Sequence, residues 1–229
     1  MKFNPGWRLS LFVCLVLPIL VAAGFWQLDR AEQKLILKKG YELQITQPPQ
    51  NLETVIPAAF TTVTFNGAFS ANDYYLVDNA THEGRVGYQV IHLVHLAPPT
   101  GAKAVLVNRG WVPAPKNRED LPEIDTPTGV RRFEGVLWPD LGLPLLLADD
   151  PWSQTFPKRV QRLNIARMAQ ELELEFEWQI RLVSGSPGTY TPPRLNIAFG
   201  VDRHYGYALQ WFGLAVVLLV GFVVVGVKR

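Results

Sequence analysis

Two long apolar segments, one near each end, most constrain what this chain can fold into. The first, LSLFVCLVLPILVAAGFWQL from Leu9 to Leu28, contains no charged residue. At ~1.5 Å per helical residue it reaches roughly the 30 Å of a bilayer core. The second runs from about Tyr207 to Val227 and is of similar length. Both are read as transmembrane helices, with Pro18 tolerated in the first as a kink. A removable signal peptide competes for the first segment. Lys2 and Arg8 form a basic lead, Leu9 to Leu20 an apolar stretch, and Val21-Ala22-Ala23 a small-residue cleavage pattern. Against it, the apolar run continues through Gly24, Phe25, Trp26 and Leu28, further than a signal needs.

The expected organisation is therefore a helix at 9–28, an extracytoplasmic domain at 29–203 and a second helix at 204–227. Orientation is harder to read than span. Arg30, Lys34, Lys38 and Lys39 follow the first helix as densely as Lys2 and Arg8 precede it, so positive charges give no answer there. The second helix has Lys228 and Arg229 at its far end against Arg203 at its near end, which favours both termini in the cytoplasm.

Composition excludes several functions. A formal net charge of +2, without an arginine stripe or a phosphate loop, argues against nucleic acid as a partner. The single cysteine, Cys14, lies inside the first apolar run, so paired-thiol chemistry and a two-thiolate copper carrier are excluded. Met1 and Met168 are poor substitutes for such thiolates.

Between the helices the texture changes twice. DRAEQKLILKKGYELQI extends the first helix beyond the bilayer until Pro48-Pro49 stops it. Then come β-rich stretches at Phe60–Phe65, Tyr74–Val77, Gly87–Leu96, Ala104–Asn108, Arg131–Trp138 and Trp178–Val183, separated by Gly, Pro, Asn and Asp. Helical spacing of Ile165, Met168, Ala169 and Leu172 predicts one soluble helix over about Val160 to Phe176. WVPAPKNREDLPEIDTPTG, 111–129, reads as a surface loop. The fold class is α+β: two transmembrane helices, N- and C-terminal, anchoring one mainly antiparallel β domain, sheet or barrel, with a soluble helix.

Few groups in that domain suggest chemistry. His92 and His95 are three apart, and on a strand that spacing sends them to opposite faces, so they share no metal; one is expected packed or hydrogen-bonded and the other exposed. The serines at 10, 70, 153, 184 and 186 lie in no nucleophile pattern, and Asp149-Asp150 reads as a turn. No enzyme is indicated.

The membrane boundary is different. Gln27 and Gln210 lie at similar depth near the outer ends of the two helices and are expected to meet across the pair. Trp26, Tyr205, Tyr207 and Trp211 surround them, as interfacial aromatics do in many membrane proteins. His204, Ala208, Trp211 and Ala215 follow one helix face, with small residues below the imidazole where a flat ligand could approach. His204 is open to two readings: an interfacial anchor, or an axial ligand for haem iron.

Five blocks resemble, in order and spacing, the signatures of the surfeit locus protein 1 family: GFWQLDRAEQK (24–34), FNGAFSAN (65–72), VLVNRGWVPAP (105–115), EGVLW (134–138) and HYGYALQWFGLA (204–215). The resemblance spans nearly the whole chain. It implies a non-enzymatic assembly factor for haem-copper terminal oxidase, mainly cytochrome c oxidase. Such a factor helps place haem a in the large catalytic subunit, and haem a synthase is a further implied partner. It also implies a multi-pass protein of the bacterial inner membrane with both termini cytoplasmic, the central domain periplasmic and lipid around the helices. By the same resemblance His204 is the axial ligand; Trp211, on the same helix face, is the further candidate for contact with the cofactor.

The chain departs from the pattern at Arg203, where the family usually has Asn, and at Tyr205, where it usually has Leu. Arg203 can meet a propionate or sit among lipid headgroups. Arg109 has a functional reading, as a propionate or partner contact, and a structural one, as a paired surface group beside a turn at Gly110 and a packing anchor at Trp111. Arg30 is open in the same way. A haem-independent scaffold that stabilises an oxidase intermediate is the alternative function. If the first segment is an anchor, protein extracted from membranes retains the residues before Gly24; N-terminal sequencing that begins at Gly24 overturns it.

Overall fold

The computed structural model describes residues 3–56, 58–98, 104–117, 119–139, 152–175, 178–192 and 200–228. Along the chain these form α1 (Trp7–Gln44), β1 (Gln50–Asn51), β2 (Thr62–His82), β3 (Arg85–Leu96), β4 (Ala104–Pro113), β5 (Arg131–Trp138), β6 (Lys158–Val160), α2 (Ile165–Glu171), β7 (Gln179–Leu182) and α3 (Val201–Lys228). They divide into two compact units, Met1–Lys39 with Asn196–Arg229, and Gly40–Leu195.

The first unit is an antiparallel helix pair. Phe3 meets Phe222 edge-on at 5.4 Å between ring centroids, and Phe25 meets Phe212 at the same distance. Asn4 N–H donates to the Gly226 carbonyl, so the start of α1 and the end of α3 lie together. Gly24 permits the close approach, since a Cβ there would stand 2.6 Å from the Phe212 ring. Both helices are long and apolar enough to cross a bilayer. Leu11, Leu15, Ile19, Leu209, Leu214 and Val217 are each more than half exposed on them. An apolar surface of that extent requires lipid, and helices suit lipid because they satisfy their own backbone. α1 continues well past Leu28, as its Glu-, Lys- and Leu-rich continuation predicts, and ends shortly before Pro48.

The second unit is built around β2, which is long enough to serve two neighbours. Thr62–Gly67 pairs with β5 and Gly67–His82 with β3, both antiparallel. β3 pairs antiparallel with β4, β4 parallel with β7, and β7 antiparallel with β5. The ring β2-β3-β4-β7-β5 thus returns to β2 and closes as a barrel, removing the open edges that would invite aggregation. β1 and β6 add to β2 in parallel. Alternation sends Val63, Phe65, Val94, Val105, Val107, Phe133 and Ile180 to one core. The opposite faces carry Tyr75, Ile91, Leu93 and Leu106, covered by Met168 of α2. Tyr41 and Trp138 both meet Phe60 edge-on in this unit.

Three details differ from expectation. Phe60–Phe65 and Tyr74–Val77 belong to one bulged strand rather than two. The sheet is mixed, because a short parallel contact to β4 admits β7 into the barrel. The soluble helix is shorter than 160–176. Lys158–Val160 is taken by pairing with β2, and Asn164 caps the helix by accepting from the Arg167 N–H at 3.0 Å. Phe176, Asp149-Asp150, Lys2 and Arg229 lie outside the described residues.

The NRGW segment interrupts the β3–β4 ladder. Val90 pairs with Gly110 and Ile91 with Asn108, so Arg109 is the extra residue of a β-bulge and its side chain is re-aimed. Gly110 has φ +107, and a Cβ there would collide with the Thr191 carbonyl. The Asn108 carboxamide oxygen accepts from the Gly110 N–H at 2.9 Å, and the Trp111 N–H donates to the Thr191 carbonyl at 2.6 Å. Backbone strain and collision act together at this position. Gly110→Ala is therefore expected to cost about 2–4 kcal/mol, measured as a lowered urea midpoint of the full chain in detergent.

Candidate functional site

Arg109 and His92 form a buried network inside the second unit. The bulge turns Arg109 into the interior, where it is 1% exposed between the rings of Phe69 and Tyr190, each centroid 4.6 Å from the guanidinium carbon. Its Nε donates to the Gly188 carbonyl at 2.7 Å, one terminal nitrogen to the Asp125 carbonyl at 2.5 Å and the other to His92 Nδ1 at 3.0 Å. His92 in turn donates from Nε2 to the Ser70 carbonyl at 2.8 Å. The bonds define the neutral tautomer, since an arginine can only donate. Burial pushes the imidazole down to about 4; the Arg109 charge pushes the same way and the Ser70 carbonyl opposes both. Burial also lowers the Arg109 guanidinium from its ordinary value.

Arg109 thus ties β4 to the 186–191 segment and to the 114–129 loop. Neither a surface ion pair nor an anion contact open to solvent describes it, because the bulge carries it into the core. His92 is buried and hydrogen-bonded while His95 is exposed, as strand parity requires. Trp111 is an anchor, donating from its indole to the Ala80 carbonyl at 2.9 Å. Of the serines, Ser70 donates to Asp73 at 2.5 Å and Ser186 accepts from the Glu134 N–H, both local structural roles. A cavity of about 290 Å³ lined by Asn51, Thr64, Asn66 and Arg132 is polar. It falls below the ~300–1,000 Å³ usual for ligand pockets and is unsuited to a large apolar macrocycle.

The remaining candidates lie on the helix pair. His204 stands in the first turn of α3, whose chain start is closed by the Gly200 carbonyl accepting from the Arg203 and His204 N–H groups. Its Nδ1 is 2.6 Å from the Gln27 side-chain oxygen on α1. Both residues are half-buried. Because the oxygen can only accept, Nδ1 carries the proton and Nε2 keeps its lone pair. Among the described residues Nε2 has no hydrogen-bond partner. A neutral imidazole held through Nδ1 with a lone pair at Nε2 is, in donor chemistry, a nitrogen that haem iron accepts.

Gln210 does not meet Gln27. Six residues beyond His204 it has turned about 240° around the helix, and it is exposed. Ala208 and Ala215, on the His204 face, are 2% and 5% exposed. That face is closed within the helix pair instead of forming a lane for a flat ligand. Trp211 is half-buried there, whereas Trp26, Tyr205 and Tyr207 are about half exposed or more and Arg203 is exposed. Arg30 lies over the Trp26 ring at 5.7 Å and donates to the Gln33 carboxamide at 2.9 Å. The sequence reading missed the Gln27–His204 bond. Its signal was azimuth: Gly24, Gln27 and Ala31 follow one α1 face at helical spacing.

The SURF1 family model matches residues 14–216. The chain is similar to a SURF1-like protein of Rickettsia felis, 29% identical over 95% of this chain and 96% of that protein. It is also similar to SURF1-like proteins of Rickettsia conorii, 27% identical over 95% and 90%, and Rickettsia prowazekii, 26% identical over 95% and 89%.

The buried network generates a pH test. Folded His92 stays neutral down to about pH 4, whereas the unfolded ring protonates below about 6.5. The unfolded state therefore binds more protons between these values. The His92 contribution is fully present above pH 6.5 and is lost progressively toward pH 4, amounting to up to about 3 kcal/mol. Urea unfolding at several pH values should show this slope, and His92→Gln should flatten it while lowering stability at neutral pH.

Proposed function

Since the chain belongs to the SURF1 family, we propose that it is an assembly factor for a haem-copper terminal oxidase, cytochrome c oxidase above all, that holds haem a and passes it to the large catalytic subunit. Oxidase assembly is the role of the family. The observation that supports the haem reading is the His204 imidazole, tied through Nδ1 to Gln27 with Nε2 left as an electron-pair donor. Haem would supply an iron that accepts a nitrogen donor, with two propionates beside an apolar ring.

Each residue then has a physical task. His204 would take the iron at Nε2. Trp211, half-buried seven residues further along α3, would meet the apolar ring only with the part of its indole that stays exposed outside the closed face. Arg203 and Arg30, both exposed, supply guanidinium groups suited to propionates. Tyr207 and Trp26 hold the helix ends at the headgroup layer. The barrel unit, bearing no comparable donor among its described pockets, is the part to dock on the immature oxidase. Haem a synthase is the fitting source of cargo, and lipid encloses the helices.

An antiparallel pair of spans puts both helix ends that adjoin the chain termini on one side of the membrane. We place that side in the cytoplasm of a bacterium and the barrel in the periplasm. A haem-independent scaffold predicts different behaviour: association with the large subunit without stoichiometric haem. Protein purified from cells that make haem a should carry its spectrum, and His204→Ala should lose most of it while the helix pair remains inserted. Equal haem content in the two proteins removes His204 as ligand; no haem in either leaves the scaffold.

A further inference from the structure

Resting on the haem-handling reading, we propose that Gln27 is a positioning residue that makes His204 a one-sided and releasable ligand. Three observations on the helix pair lead there. The 2.6 Å bond joins residues 177 positions apart, so it is a built feature of the helix pair rather than a local turn. Its acceptor is a neutral amide. A carboxylate stands only two residues away, Asp29, but it is engaged by the Gln33 side chain at 2.8 Å, and Gln33 also accepts from Arg30. The only acid on α3 is Asp202, two residues before His204 and exposed. The Nδ1 proton is thus met by a neutral amide oxygen and not by a carboxylate.

The strength of the acceptor at Nδ1 sets how basic Nε2 is. A carboxylate pulls the Nδ1 proton, drives the ring toward imidazolate and strengthens the metal bond, whereas an amide oxygen leaves an ordinary neutral imidazole. A protein that stores a metal group permanently benefits from the carboxylate; one that must surrender its cargo benefits from the amide. The same bond fixes the tautomer, so that Nε2, not Nδ1, is the free nitrogen in every molecule, and it stops the ring from turning. Gln27 therefore governs both which atom ligates and how tightly.

Three measurements on the full chain in detergent test this. In the haem-free protein labelled with 15N-histidine, the ring signal that disappears in His204→Ala should show one tautomer, protonated at Nδ1, and in Gln27→Met a mixture. In the haem-loaded protein, Gln27→Glu should transfer haem to apomyoglobin about tenfold more slowly than wild type and lower the reduction potential. Gln27→Met should transfer faster. Equal transfer rates and potentials for wild type and Gln27→Glu overturn the proposal, as does an Nε2-protonated ring in wild type. A wild-type chain that carries no haem defeats the preceding reading, and with it the claim about release. The ring signal still decides the claim about the tautomer, which fails if Gln27→Met leaves that signal unchanged. Should Gln27→Met not insert, Gln27→Glu alone decides, since it preserves size and an acceptor.

Discussion

A polar group at the rim of a hydrocarbon layer has no water to fall back on, and the bond between His204 and Gln27 answers that constraint. Either side chain alone at that depth would cost on the order of 1–3 kcal/mol in unmet hydrogen bonding. Together they meet through Nδ1 and the amide oxygen and fix how the two helices face. Gly24 and the small faces at Ala208 and Ala215 bring the helices close enough for the bond to form.

The barrel obeys a different economy. Its ring of strands closes because β2 changes partners at Gly67 and because β7 inserts between β4 and β5. A guanidinium at its heart would be a liability if unpaired, since a buried charge costs several kcal/mol. Arg109 avoids that by meeting two carbonyls, a neutral imidazole and two aromatic faces. The arrangement holds only while His92 remains neutral, and burial ensures this near neutral pH.

Features that depend on neighbours in sequence were legible from the chain alone. The two long apolar terminal helices follow from length and the absence of charge, the β-rich middle from alternation and turn residues, and the parity of His92 and His95 from strand geometry. Features that depend on distant partners were not. Depth alone paired Gln27 with Gln210, because the angle around the helix decides the partner and was not applied. Arg109 read as a surface group because nothing local announces a bulge that reverses a side chain. The start of α2 was misplaced because β6 takes Lys158–Val160 into pairing with a strand some 80 residues earlier.

The 177-residue separation of Gln27 from His204 also sets an order of events during biosynthesis. The ribosome delivers the first half of the bond long before the second, and everything that forms the barrel emerges in between. Closing so large a loop in an unstructured chain costs on the order of 5 kcal/mol of entropy, so a folded insert that shortens it makes the closure easier. A chain stalled or cut anywhere before α3 has an anchor but no imidazole to offer. The contact that joins the two terminal helices is thereby among the last the molecule acquires, and an incomplete copy lacks it altogether.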